Sequence, residues 1–128
     1  MKKIITALLS LLLLTGCAGT SDGSGGSYIQ LSSDQAMEQM ASSEGYIILD
    51  VRTREEYDSG HIAGAVNLPL QDLGDGSPAL LPELSQEIYV YCRSGNRSKQ
   101  ASQILAELGY TNVFEFGGIH SWKGEIVK

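Results

Sequence analysis

The chain has 128 residues, of which 42% are hydrophobic and 19% charged, with fifteen acidic against nine basic side chains and a formal net charge of −6. That length suits one domain with one modest core. The acidic balance argues against nucleic acid or an anionic lipid surface as partners, because both require basic patches.

The first 27 residues are read apart from the fold. Lys2 and Lys3 make a positive start, Ile4 to Leu14 an apolar run, and Leu14-Thr15-Gly16-Cys17 an ending of small residues before a cysteine. The run is short of the roughly 20 residues that cross a bilayer as a helix, so residues 1–16 read as an export signal. Leu-Thr-Gly-Cys is similar to the lipobox of bacterial lipoproteins, which implies a diacylglyceryl group on Cys17 and cleavage in front of it; an ordinary secretory signal with an incidental cysteine is the plainer alternative. Residues 17–27 then form a lipidated cysteine and a Gly/Ser tether with too little apolar content to order itself, reaching about 15–20 Å. The mature protein is expected outside the cytoplasmic membrane, anchored to the bacterial cell membrane through Cys17. Loss of Lys2 and Lys3 leaves seven basic residues against fifteen acidic, near −8.

Residues 28–128 carry alternating strand and helix signals, the pattern of a parallel sheet covered on both faces. Tyr28 to Leu31 reads as a strand, and Ser32-Ser33-Asp34-Gln35 as a capping box opening a helix to about Ala41. Tyr46 to Asp50 is a second strand. Thr53-Arg54-Glu55-Glu56 is another capping box, starting a short helix that ends near Gly60. Ala65 to Leu68 is a third strand, stopped by Pro69. A Gly-rich loop around Gly74-Asp75-Gly76 and one helical turn from Pro78 to Leu81 follow. Glu87 to Tyr91 is a fourth strand, Arg97 to Leu108 a helix capped by Gly109, Val113 to Phe116 a fifth strand, and Gly118 to about Lys123 a last short helix.

The chemistry concentrates at Cys92-Arg93-Ser94-Gly95-Asn96-Arg97-Ser98, a polar turn between the fourth strand and its helix. Peptide N–H groups of such a loop converge on whatever sits at its mouth, here the Cys92 sulfur, and favour an anion there. Arg93 and Arg97 add two cations, so the thiolate is expected to be stabilised and an anionic substrate attracted. With Cys17 lipidated, Cys92 is the remaining thiol; an unpaired thiol in an oxidising compartment is a liability unless it is used. A small buried hydrophobe at a strand end is the bland alternative.

This loop resembles the active-site loop of the rhodanese (sulfurtransferase) family, and the likeness continues in Leu49-Asp50-Val51-Arg52 through Tyr57, in Gly60-His61-Ile62-Ala63-Gly64-Ala65 through Pro69, and in Gly117-Gly118-Ile119-His120-Ser121-Trp122. The resemblance implies an α/β, rhodanese-like three-layer fold: a central parallel sheet of about five strands flanked by helices. It implies Cys92 as the sulfur-carrying nucleophile, with Arg93, Ser94, Gly95, Asn96, Arg97 and Ser98 wrapped around it and Asp50 and Arg52 in support. Arg97 would either meet the substrate's oxyanion or hold the scaffold through an acid such as Asp50. The implied donor is thiosulfate or a persulfide and the acceptor a thiol or cyanide, with no metal or organic cofactor and a monomeric chain. His61 reads as structural, His120 as a surface residue and Trp122 as core; Ala63 stands where the family often has proline.

Three other readings share these residues: a thiol or persulfide relay outside the membrane, a non-catalytic rhodanese-like binding module, and a cysteine phosphatase or arsenate reductase. The last of these uses a Cys-x-x-x-x-x-Arg loop, whereas here only four residues separate Cys92 from Arg97.

Overall fold

The computed structural model describes residues 26–74 and 78–128; the signal, Cys17, most of the tether, and Asp75 and Gly76 of the glycine-rich loop lie outside the described residues. Among the described residues, seven strands and three helices follow in the order β1 (Ile29–Gln30), α1 (Ser33–Ala41), β2 (Ile47–Asp50), α2 (Arg54–Asp58), β3 (His61–Ile62), β4 (Val66–Asn67), β5 (Glu87–Cys92), α3 (Asn96–Glu107), β6 (Asn112–Gly118) and β7 (Ile126–Val127). Five of the strands form a parallel sheet in the order β1-β6-β5-β2-β4, while β3 and β7 pair antiparallel as a separate ribbon.

Both capping boxes form. The Ser32 hydroxyl accepts from the Gln35 N–H and Thr53 from the Glu56 N–H, each with the reciprocal side-chain contact that fixes the helix start. β5, whose residues from Ile88 to Cys92 are all buried, occupies the middle of the sheet, as a parallel strand covered on both faces must. On one face Val90, Leu49 and Val113 meet Ala101 and Leu105 of α3; on the other Tyr89, Tyr91 and Phe116 meet Ala36 and Met40 of α1, with Tyr57 of α2 alongside. The carboxyl ends of β2 and β5 therefore lie side by side, in register at Asp50 and Tyr91, and deliver their following loops to one edge of the molecule.

Several elements depart from the periodicity reading. β3 and β7 are two residues long, too short for an alternation to show. The segment after Gly118 is a single 3₁₀ turn over Ile119–Ser121 rather than a helix to Lys123, and a further 3₁₀ turn covers Leu70–Asp72. Near Pro78 only a turn forms, closed by the Leu81 N–H on the Pro78 carbonyl at 3.0 Å. Between β5 and β6 the register slips: Val90 faces Glu115, but Cys92 faces Gly118, so β6 carries one extra residue beside the loop.

Candidate active site

Cys92 ends β5 with 1% of its surface exposed. The chain then turns through Arg93 and Ser94 to Gly95, whose φ of 111° lies in the region that side-chain-bearing residues avoid. Gly95 is the N-cap of α3 and brings no side chain to accept from the helix's free N–H groups. The sulfur takes that place. The Gly95 N–H donates to Cys92 Sγ at 3.0 Å, and the Ser98 hydroxyl lies 3.5 Å from it. Burial alone pushes the thiol up, but hydrogen bonds from the Ser98 side chain and the N–H groups of Ser98, Gly95 and Ser94 outweigh it, and the Cys92 pKa falls below its ordinary value.

Arg97 takes the scaffold alternative, with a different acid as its partner. Arg97 does not meet Asp50; its Nη1 and Nη2 donate to Glu56 Oε1 and Oε2 at 2.7 and 3.0 Å. Glu56 is also the residue that closes the α2 capping box on Thr53, so one carboxylate fastens the start of α2 to the start of α3. Its hydrogen bonds with Arg97 pull its pKa down to about 2, and the same contact raises that of Arg97. Glu56 is the residue that sequence reasoning missed: its part in the capping box hid a second role, and nothing local distinguishes it from Asp50 as a partner for Arg97.

Asp50 is committed elsewhere. It accepts from Arg52 Nη2 at 2.7 Å and from the Tyr91 hydroxyl at 2.6 Å, while Arg52 Nη2 also reaches the Gly60 carbonyl at 2.7 Å. Burial of Tyr91 and its contact with Asp50 raise the phenol pKa, and although burial works against the Arg52 charge, Asp50 raises the guanidinium pKa overall. Asp50 and Arg52 are thus a buried ion pair behind the strand ends, with side chains 0% and 6% exposed. They brace the floor; they do not present charge at the mouth. Arg93 is exposed and makes no ion pair among the described residues. Asn96 is exposed in the first turn of α3, and Ser94 lines a cavity of about 410 Å³ on the α1 side of the loop with Gln30, Asp34, Lys99, Glu115 and Lys123.

Gly118 closes the loop from below. A Cβ there would lie 2.0 Å from the Arg93 carbonyl oxygen, so only glycine lets β6 pass so near the turn. His61 stacks on Tyr57 at 3.7 Å between ring centroids, and its Nδ1 faces the Tyr57 carbonyl at 2.9 Å, a structural placement. His120 is exposed, and Trp122 packs on Phe116.

Two family models match the chain. The rhodanese-like domain model matches residues 33–125, and the model of the prokaryotic membrane lipoprotein lipid attachment site matches residues 1–18. The chain is similar to thiosulfate sulfurtransferase PspE of Escherichia coli, 39% identical over 56% of this chain and 68% of the relative. It is also similar to the putative sulfur carrier protein YrkF of Bacillus subtilis, 33% identical over 75% of this chain, though it spans only 51% of that relative's length. Among solved structures it resembles a rhodanese with anions from E. coli, with a TM-score of 0.61 and 36% identity over 65% of this chain and 98% of the other.

Proposed function

The chain belongs to the rhodanese-like domain family, and from that membership we propose a sulfurtransferase that moves sulfane sulfur through a persulfide on Cys92. The observation that carries the reading is the 3.0 Å contact from the Gly95 N–H to Sγ, with Ser98 as a second donor within reach. Donors fixed around a sulfur favour its anion, and they favour equally the terminal sulfur of a persulfide built on it.

In the first half-reaction the Cys92 thiolate attacks the outer sulfur of thiosulfate; the new S–S bond forms as the bond to the sulfonate sulfur breaks, and sulfite leaves with the electron pair. In the second, a thiolate or cyanide attacks the outer sulfur of the persulfide and restores the Cys92 thiolate. The sulfur's recess, 1% exposed, suits a donor that presents a single terminal atom. Arg93, exposed at the rim, attracts the dianion. Arg97 acts through Glu56 to hold the ring of donors, and Asp50 with Arg52 holds the strand end below it. A lipid on Cys17 would keep this chemistry at the membrane surface, within reach of donors and acceptors outside the cytoplasm.

Incubation of the protein with thiosulfate and measurement of its intact mass tests the reading. A gain of one sulfur atom that cyanide removes, and that Cys92→Ser abolishes, is the expected result. No gain in the wild type would remove the proposal.

A further inference from the structure

The chain enters the domain at one end of the sheet and carries its reactive loop at the other. Gly26 and Ser27 line a cleft with Ala106, Gly109, Tyr110 and Thr111, and a Cβ on Gly26 would lie 3.2 Å from the Ala106 carbonyl oxygen, so the N-terminal segment comes in beside the last turn of α3. It continues into β1, which pairs parallel with β6, Ile29 against Phe114. All five strands of this sheet run the same way, so the entry point sits at their amino ends and Cys92, the last residue of β5 and opposite Gly118, at their carboxyl ends. At about 3.3 Å per residue, the seven residues of β6 put roughly 20 Å between these poles.

Charge divides the same way. The turns at the entry pole, residues 42–46, 82–86 and 108–111, carry Glu44 and Glu83, both exposed, with exposed Glu107 beside them and no Lys or Arg. Arg54 opens α2, Arg93, Arg97 and Lys99 belong to the loop and the first turn of α3, and Lys123 reaches Asp34 in the first turn of α1 at 3.1 Å; each of these segments follows the carboxyl end of a strand. Arg54 pairs with Asp58 and Arg97 with Glu56, which leaves Arg93 and Lys99 as exposed cations beside the loop without an ion pair among the described residues.

Resting on the lipid anchor and on the sulfurtransferase reading, we propose that the domain stands with its entry pole toward the membrane and its Cys92 loop toward the water, where it exchanges sulfur with a water-soluble, anionic partner and not with a thiol held in the bilayer. Residues 17–25 link Cys17 to Gly26, and a Gly/Ser chain of that length reaches about 15–20 Å. With the domain upright the loop then lies roughly 35–40 Å from the headgroups. To lay the loop on the lipid, the same nine residues would have to run back along the whole sheet. That uses most of the roughly 30 Å they span when fully extended and gives up the freedom of a relaxed chain. Electrostatics works the other way, since anionic lipid repels the acidic pole and attracts Arg93 and Lys99. That pull is screened beyond about 8 Å at physiological salt. The relaxed tether holds the domain farther off than this, so the tether decides the orientation.

Exposed Ser85 marks the entry pole, its carbonyl accepting from Asn112 at the start of β6 at 2.8 Å, and exposed Ser121 marks the loop pole, in the turn after β6. Ser85→Cys and Ser121→Cys, each placed in the lipidated Cys92→Ser protein, take one fluorophore apiece and are reconstituted in vesicles of phosphatidylglycerol with an acceptor dye on the headgroups. Energy transfer to the membrane should be several times stronger from position 85 than from position 121. Equal transfer, or stronger transfer from position 121, would overturn the orientation. Flotation with the vesicles reads the anchor separately, and protein that stays behind would remove the anchor and the proposal with it. In the wild type loaded with sulfur from thiosulfate, mercaptosuccinate in the water should discharge the persulfide faster than dodecanethiol in the vesicles. Doubling the Gly/Ser segment, which lifts the length limit, should speed discharge by dodecanethiol several-fold and leave that by mercaptosuccinate unchanged. Discharge by dodecanethiol that is as fast with the natural segment as with the doubled one would overturn the choice of partner, whereas a wild type that gains no sulfur by mass would strike the sulfurtransferase reading and not the orientation.

Discussion

Cys92→Ser changes one atom at a recessed loop position, so the fold should keep its stability to within about 1 kcal/mol, while sulfur uptake from thiosulfate should vanish because the hydroxyl stays protonated. Mass spectrometry and thermal unfolding on the same sample check both halves. Arg93 and Arg97 should part company in kinetics. Arg93→Ala removes an exposed rim charge and is expected to raise KM for thiosulfate and flatten the salt dependence of the rate; Arg97→Ala breaks the bidentate contact with Glu56 and is expected to lower kcat by misdirecting several donors at once. Steady-state rates at two salt concentrations separate them. At Gly118 the chain has no freedom: a methyl group 2.0 Å from the Arg93 carbonyl oxygen must displace backbone, so Gly118→Ala should destabilise by about 3 kcal/mol, the upper end for overpacking, measured by urea unfolding.

At the scale of elements, the junction of α2 with α3 is the acid-labile part of the site. Glu56 has its pKa depressed from 4.5 to about 2 by Arg97 first of all. A depressed carboxylate contributes stability that is fully present above its unfolded pKa and is lost as pH falls through the folded one. Stability should therefore decline between about pH 4.5 and 2, and Glu56→Gln should remove that part of the decline at a neutral-pH loss of about 1–2 kcal/mol. Denaturant titrations across that range measure it. This clamp also marks where sequence reading stopped. Cys92, the loop, both capping boxes and the central strand were legible because each is a local pattern: an apolar run ending in a polar turn, or Ser/Thr followed three residues later by Gln or Glu. Which acid Arg97 would meet was not, since Asp50 and Glu56 both follow from the β2 end and only the packed distance between α2 and α3 chooses. The slip in register between Val90 and Cys92 was equally hidden, as an extra residue in β6 exists only relative to its partner strand.

For the whole molecule, the lipid attachment site at residues 1–18 makes location testable. Wild-type protein should partition with membranes, and Cys17→Ala should leave it unlipidated and uncleaved, since two acyl chains anchor stably where one does not; fractionation followed by mass measurement of the N-terminus reads both. The five-stranded sheet and its order could be anticipated only as a class, because strand order is decided by long-range pairing that no local window contains.

That pairing decides how much of the chain the loop depends on. β6, which comes late in the chain, inserts between β1 and β5 and supplies the glycine floor under a loop made more than a dozen residues earlier. The site is thus built from two distant stretches of chain, since the turn after Cys92 is seated on a strand that begins at Asn112. A chain cut before residue 112 keeps the cysteine and its turn but loses the strand on which that turn is seated.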